Sequence, residues 1–257
     1  MNAETEYLWT SASCSHAGMV RQKNEDACLD ESDLGLWAVA DGMGGHAFGE
    51  FASSMVVDAL GDIASPDSLS GFVTAARAQL QTVNGELREE AASRDVMVIG
   101  STVVVLLAYQ RRCAYLWAGD SRLYLYRSGQ LRQLTRDHSQ AEEYRSRAHS
   151  NSEIGLQRIS RNTITRAVGA ADTLDLDEDA IDVCDGDMFL LCSDGLSNEV
   201  NEQEMCNALL AGDCLYASET LIDLALEHGG RDNISVIVVR AEDPNSEEQT
   251  VLNPALG

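Results

Sequence analysis

Two antiparallel sheets packed face to face, each with a pair of helices on its outer side, form the α+β architecture that this chain predicts. Three observations lead there. Strand-like and amphipathic segments follow one another in the order strands, two helices, strands, two helices, strand, with no internal repeat and no linker. The links between strand-like runs from Val98 to Tyr126 are short, which favours antiparallel neighbours because parallel pairs need longer crossovers. A length of 257 residues, 44% of them apolar and only three of them proline, is enough to bury a substantial core.

Trp9 to Ala17 alternates loosely and predicts a first strand closed by Gly18; the chain re-enters a strand after Glu25 and Asp26. The stretch from Leu34 to His46, LGLWAVADGMGGH, predicts a buried strand ending at Asp41, with Gly42, Gly44 and Gly45 after it. Asp-Gly is also a common turn dipeptide, so a plain turn is the competing reading. Apolar residues at helical spacing then run from Phe48 to Ile63 and from Leu69 to Leu87, separated by Ser65-Pro66-Asp67. Val98 to Tyr109, Cys113 to Ala118 and Arg122 to Tyr126 read as a meander. Thr135 to Asn162 is polar and aperiodic and reads as an inserted flap, about 139–163. Leu174 to Val183 and Met188 to Cys192 return to strand character, with Asp185-Gly186-Asp187 as a hairpin turn between them. Asn201 to Leu210 and Leu215 to His228 predict two more helices, and Asn233 to Arg240 a closing strand. The expected organisation is one domain over 1–240 and an acidic, solvated tail over 241–257.

The formal charge is −24, from 42 acids against 18 bases, which disfavours nucleic acid and anionic membrane as partners. The seven cysteines are scattered without a C-x-x-C pair, which reads as reduced thiols rather than a zinc site. The acidic start MNAETEYLW and the absence of a long apolar run predict a cytoplasmic protein.

Three acids share one context: Asp41 after LWAVA, Asp194 after FLLCS and Asp232 before NISVIVV, each at the end of an apolar strand beside Gly or Asn. If those strands lie side by side, their ends bring three carboxylates together, an arrangement costly without a cation. An all-oxygen set without His or Cys favours a hard ion, Mg or Mn. Two such ions can lower the pKa of a water held between them and set it in line with phosphorus. Arg21 would then match phosphate oxygens with its guanidinium fork; its plainer reading is a surface salt bridge with Glu25.

Eight ordered motifs carry a family resemblance: RQKNED (Arg21 to Asp26), DGMGGH (Asp41 to His46), GST (Gly100 to Thr102), AGDSR (Ala118 to Arg122), TRDHS (Thr135 to Ser139), TRAVG (Thr165 to Gly169), SDGL (Ser193 to Leu196) and GRDNIS (Gly230 to Ser235). Together they closely resemble the metal-dependent serine/threonine phosphatases of the PP2C type in their compact bacterial form. The resemblance implies a four-layer α-β-β-α sandwich with a two-metal site at the edge of the sheets. Asp41 would bridge two Mn or Mg ions, the carbonyl of Gly42 would bind one, and Asp194 and Asp232 the other. Glu25 and Asp26 would hold metal-bound waters, Arg21 would grip the substrate phosphate, and Asp120 would serve a third, weaker ion; its bland reading is a hairpin turn. The implied activity is hydrolysis of phosphoserine and phosphothreonine in proteins by a metal-activated bridging water, opposing a Ser/Thr kinase, by a monomer.

Two departures stand out. Animal members carry a His after Asp-Gly, proposed as the acid for the leaving alcohol, where this chain has Met43; His46 is a candidate acid by type, with a structural role at a helix start as its competing reading, and His138 reads as structural. The segment before Thr165-Arg166-Ala167, SNSEIGLQRISRN, lacks the proline-and-arginine-rich pattern of compact relatives. Between Arg111 and Arg166 there are 11 arginines against 5 acids, a local excess expected to rim the site. A dinucleotide loop at Gly42 to Ala47 fails because Asp41 would face the pyrophosphate. A cysteine phosphatase fails because no Cys has Arg at the required spacing. The rival from another class is a catalytically silent domain of this fold that binds phosphoproteins or partners, whose mark would be loss of Asp41, Asp194 or Asp232.

Overall fold

A computed structural model describes residues 7–44, 48–147 and 163–246. The strands are β1 (Leu8–His16), β2 (Asp26–Glu31), β3 (Leu36–Met43), β4 (Gly100–Ser101), β5 (Val103–Tyr109), β6 (Arg112–Ala118), β7 (Arg122–Arg127), β8 (Gln130–Gln133), β9 (Asp177–Asp182), β10 (Met188–Cys192) and β11 (Ile234–Glu242). The helices are α1 (Phe48–Gly61), α2 (Leu69–Ser93), α3 (Gln140–Arg147), α4 (Asp194–Ser197), α5 (Glu202–Leu209) and α6 (Cys214–Glu227). One sheet has the order β1-β11-β10-β7-β8; the other runs β2-β3-β5-β6-β9, with β4 pairing β3 off that path. Every named pairing is antiparallel.

The layers follow from the period of two along each strand. On β3, Leu36, Ala38 and Ala40 pack with Val56, Leu60, Phe72 and Leu80 of α1 and α2. Trp37 and Val39 face the other way, into a core between the sheets shared with Phe189, Leu191 and Ile237. The outer face of the second sheet, Leu190 and Val238 among it, packs on Leu209, Leu221 and Ala225 of α5 and α6. Strands covered on both faces read as nearly continuous apolar runs, as VVVLLAY of β5 does. The four-layer α-β-β-α sandwich is therefore the observed architecture.

Several local expectations need correction. β6 and β7 do not form a hairpin: β6 pairs with β5 and β9, whereas β7 pairs with β8 and β10, so Gly119 to Ser121 carry the chain from one sheet to the other. The same holds for Asp185-Gly186-Asp187, since β9 and β10 lie in different sheets. Short links do not exclude this, because stacked sheets stand about 10 Å apart and three residues span about that distance. The flap contains the helix α3, whose QAEEYRSR has no apolar stripe; Glu142 on it pairs with both Arg136 and Arg145. The strand β11 reaches Glu242 and Arg111 holds Asp243, so the expected tail begins inside ordered structure. The flap residues 148–162 and the tail from 247 on lie outside the described residues.

Candidate active site

The ends of four strands and one corner between sheets converge on a single cleft of about 810 Å³, lined by Arg21, Lys23, Glu25, Asp41, Gly42, Met43, Thr102, Asp120, Ile164, Asp194, Asp232 and Asn233 among others. Asp41 lies near the carboxyl end of β3, directly across from Asp26 on β2. Asp194 is the first residue of α4, just after β10, and Asp232 stands two residues before β11. Asp120 occupies the corner that joins the sheets. The fold thus brings together all three strand-end acids, with Asp120, Glu25, Gly42 and Arg21.

Backbone proximity explains the glycines beside the acids. β3 continues through Gly42 to Met43, so Asp41-Gly42 is not a turn. A Cβ on Gly42 would sit 2.0 Å from the Gly49 carbonyl oxygen, and one on Gly195 would sit 1.9 Å from that of Asn233. Only glycine lets these segments approach so closely.

Hydrogen bonds fix the acids from behind. The Asp41 N–H donates to Thr102 Oγ1 at 3.1 Å, and the Asp41 carbonyl accepts from Thr102 N at 2.8 Å and from Ser101 Oγ at 3.0 Å. Ser193 Oγ donates to Asp26 Oδ2 at 2.8 Å, and Asn198 Nδ2 donates to Asp194 Oδ2 at 3.1 Å. Asn233 is a bracket: its Oδ1 accepts from Glu25 N at 2.8 Å, and its Nδ2 donates to the carbonyls of Ala17 and Lys23 at 2.9 and 2.8 Å. The loop carrying Arg21 is thereby tied to the start of β11. Arg21 Nη2 donates to Asp232 Oδ2 at 2.8 Å, so the ion pair is with Asp232 and not with Glu25.

The electrostatics are those of crowded like charges. Burial, then repulsion from Asp26 and Asp194, holds the Asp41 carboxyl well above its ordinary range. Burial pushes Asp26 up to about 7 and Asp120 up to about 7, with Asp194 adding repulsion in both cases. Asp194 rises to about 6 through burial and the nearby Asp232. Oδ1 of Asp26 is sealed from solvent without a hydrogen-bond partner among the described residues. An all-oxygen set whose members resist ionising together fits hard divalent cations in its donor chemistry and its charge. Among the described residues, no three acidic, His or Cys side chains already converge at metal-ligand spacing.

Other expectations resolve differently. Met43 lines the cleft, whereas His46 lies outside the described residues. His138 is buried, stacks on Trp117 and bonds Asp177 at 3.2 Å. Among the described residues, several arginines of the expected basic rim are held by acids instead: Arg122 pairs with Asp137, Arg127 with Asp187, and Arg166 with Asp175 and Asp177, while Arg158 and Arg161 lie outside the described residues. The described cations that line the cleft are Arg21 and Lys23. Sequence reasoning gave no role to Asn233, Ser193, Thr102, Ser121 or Ile164. Asn233, Ser193 and Ser121 had a signal, a small polar residue directly beside Asp232, Asp194 and Asp120, whereas Thr102 had only its place in the GST motif.

Comparison with known proteins agrees with this geometry. Residues 11–218 match a family model described as protein phosphatase 2C. The serine/threonine protein phosphatase PstP of Mycobacterium tuberculosis is 34% identical over 239 residues; the match covers 90% of this chain but 45% of that protein's own length. The serine/threonine phosphatase stp of Listeria monocytogenes is 34% identical over 236 residues, 88% of this chain and 93% of its own. Among solved structures, PppA, described as a key regulatory component of T6SS in Pseudomonas aeruginosa, has a TM-score of 0.85 at 46% identity and covers 92% of this chain and 99% of its own. The catalytic domain of PstP in complex with 2 manganese ions has a TM-score of 0.79 at 32% identity, covering 92% of this chain and all of its own. By sequence, fold and the motifs gathered at its cleft, the chain belongs to the protein phosphatase 2C family.

Proposed function

We propose that this chain hydrolyses phosphoserine and phosphothreonine in proteins, opposing a Ser/Thr kinase. The observation that carries the reading is the convergence of Asp41, Asp194 and Asp232 with the guanidinium of Arg21 on one cleft. Asp41, the carbonyl of Gly42, Asp194 and Asp232 would hold two Mn or Mg ions, Asp120 a third and weaker one, with Glu25 and Asp26 behind them. Bound there, the ions would supply Lewis-acid activation of water and neutralise phosphate charge. The chain's own residues do the rest. The carboxylates give the cleft a negative field that a phosphate dianion enters only where cations offset it. Arg21 offers a permanently charged, bidentate donor at the mouth, on a loop held by Asn233.

Retention of all three strand-end acids weighs against the silent binding-domain reading. The 46% identity to a protein described as a key regulatory component of T6SS supports a phosphoprotein substrate within a comparable regulatory circuit; the proposed enzyme acts as a monomer. The test is hydrolysis of p-nitrophenyl phosphate and of a phosphothreonine peptide with EDTA, Mg or Mn, by wild type and Asp194→Asn. Metal-dependent turnover lost in the variant supports the enzyme; no turnover by folded protein under any metal favours a binding role.

A further inference from the structure

Thr102 stands where the two halves of the acidic cluster meet. The residue is 2% exposed, at the break between β4 and β5. Its Oγ1 accepts the Asp41 N–H at 3.1 Å and contacts Ser121 Oγ at 2.7 Å, the residue directly after Asp120. Its backbone N–H returns to the Asp41 carbonyl at 2.8 Å. Its methyl abuts the other side of the same corner: a Cβ on Gly119 would fall 2.6 Å from Thr102 Cγ2, at a backbone φ of +115°. One buried hydroxyl therefore binds the strand that carries Asp41 to the corner that carries Asp120, and those two acids come from different parts of the fold.

We infer that Thr102 is a positioning residue whose hydroxyl sets the placement of Asp41 relative to Asp120, and so the ability of the cleft to take divalent cations at both positions. The inference rests on the metal-site reading above. A hydroxyl has one proton and two lone pairs, so it can accept from Asp41 N–H while sharing a hydrogen bond with Ser121. Removing it leaves a buried N–H and a buried hydroxyl unmatched, and each then draws its own segment toward another partner. Groups that orient ligands from behind change metal affinity by roughly 10–100-fold.

Two substitutions separate hydroxyl from methyl. Thr102→Val keeps shape and loses the hydroxyl; Thr102→Ser keeps the hydroxyl and loses the methyl. Mn2+ titration by calorimetry on the folded proteins reads affinity and stoichiometry, and thermal unfolding in EDTA reads structure alone. The expected result is Mn2+ affinity weakened roughly tenfold or more in Thr102→Val, with near wild-type binding in Thr102→Ser. Ser121→Ala should weaken the ion served by Asp120 more than the ions served by Asp41. Wild-type Mn2+ binding by Thr102→Val, or equal losses in Val and Ser variants, would overturn the inference, as would a fall in thermal stability without any change in Mn2+ binding. Failure of the wild-type protein itself to bind Mn2+ or to hydrolyse p-nitrophenyl phosphate would instead overturn the reading of the site.

Discussion

Arg21 Nη2 lies 2.8 Å from Asp232 Oδ2, across 211 positions of sequence, and this pair closes one side of the acidic cleft. Both partners are solvent-accessible, with side chains 54% and 33% exposed, so the pair contributes at most a few tenths of a kcal/mol to stability. Its value is positional: it holds a guanidinium beside carboxylates that would otherwise repel an incoming phosphate.

Replacing Arg21 should therefore separate function from stability. Arg21→Ala is expected to lower kcat/KM for a phosphothreonine peptide by roughly 10–100-fold, since a hydrogen bond to a charged group is worth about 1.5–3 kcal/mol. Thermal stability should stay nearly unchanged. Arg21→Lys should recover only part of the loss, because a point charge lacks the bidentate fork. Unchanged kinetics in Arg21→Ala would remove Arg21 from the phosphate site.

Asp41 is the most crowded of the acids, raised by burial and by Asp26, Asp194, Asp120 and Asp232. Asp41→Asn removes one charge from that crowd. Its melting temperature in EDTA is expected to equal or exceed that of wild type, while the gain in melting temperature on adding Mn2+ shrinks and turnover falls below detection. A melting scan with and without Mn2+ checks this; a full Mn2+ gain in the variant would contradict the metal role of Asp41.

The same crowding gives a pH dependence whose sign follows from linkage. Asp26 and Asp120 near 7 and Asp194 near 6 bind protons more tightly in the folded chain than at their ordinary value of 3.8. Between about pH 4 and pH 7 the folded state holds more protons than the unfolded one, so stability falls as pH rises. His138, lowered by burial, opposes this below its ordinary 6.5; Asp177 and Asp243, both lowered, act below the window. In EDTA the protein should melt higher at pH 5 than at pH 7.5, and Mn2+ should narrow or reverse that order because it binds the ionised carboxylates. A melting temperature in EDTA that climbs steadily from pH 5 to 7.5 would show that the acids are not mutually strained.

The sites legible in the sequence were those whose signal is local. Asp41, Asp194 and Asp232 each end an apolar strand, and strand character reads directly from residue type. The helix pairs were legible for the same reason, in their apolar stripes. Sheet membership was not, because a three-residue link such as Gly119 to Ser121 looks the same in a hairpin and in a crossing between layers. The helix α3 was missed because its hydrogen-bonded charges, not an apolar face, hold it. The pairing of Arg111, Arg127 and Arg166 with acids was invisible since partners such as Asp243 and Asp187 lie far along the chain.

Gly195 tests the close approach of α4 to the entry of β11. A methyl there meets the Asn233 carbonyl at 1.9 Å, a contact that only a backbone shift relieves. Gly195→Ala is expected to displace Asp194 with the start of the helix, lowering both thermal stability and Mn2+ affinity. Calorimetric Mn2+ binding equal to wild type would show that the approach has slack.

Asn233 should be the costliest substitution around the cleft that removes no charge. Its side chain meets one N–H and two carbonyls and the residue is 5% exposed, so Asn233→Ala leaves three polar groups without their partners in a largely sealed place. At about 1–3 kcal/mol for each unmatched group, partly recovered by water, a loss of about 3 kcal/mol is expected, or roughly 6–12 °C in melting temperature. Asn233→Asp keeps the acceptor for Glu25 N–H but sets a negative oxygen against the Ala17 and Lys23 carbonyls, so it should lose nearly as much. Because the freed loop carries Arg21, both variants should also raise KM for the phosphopeptide more than for p-nitrophenyl phosphate, which needs less of the rim. Equal effects on the two substrates would mean that Asn233 supports the fold without ordering the loop.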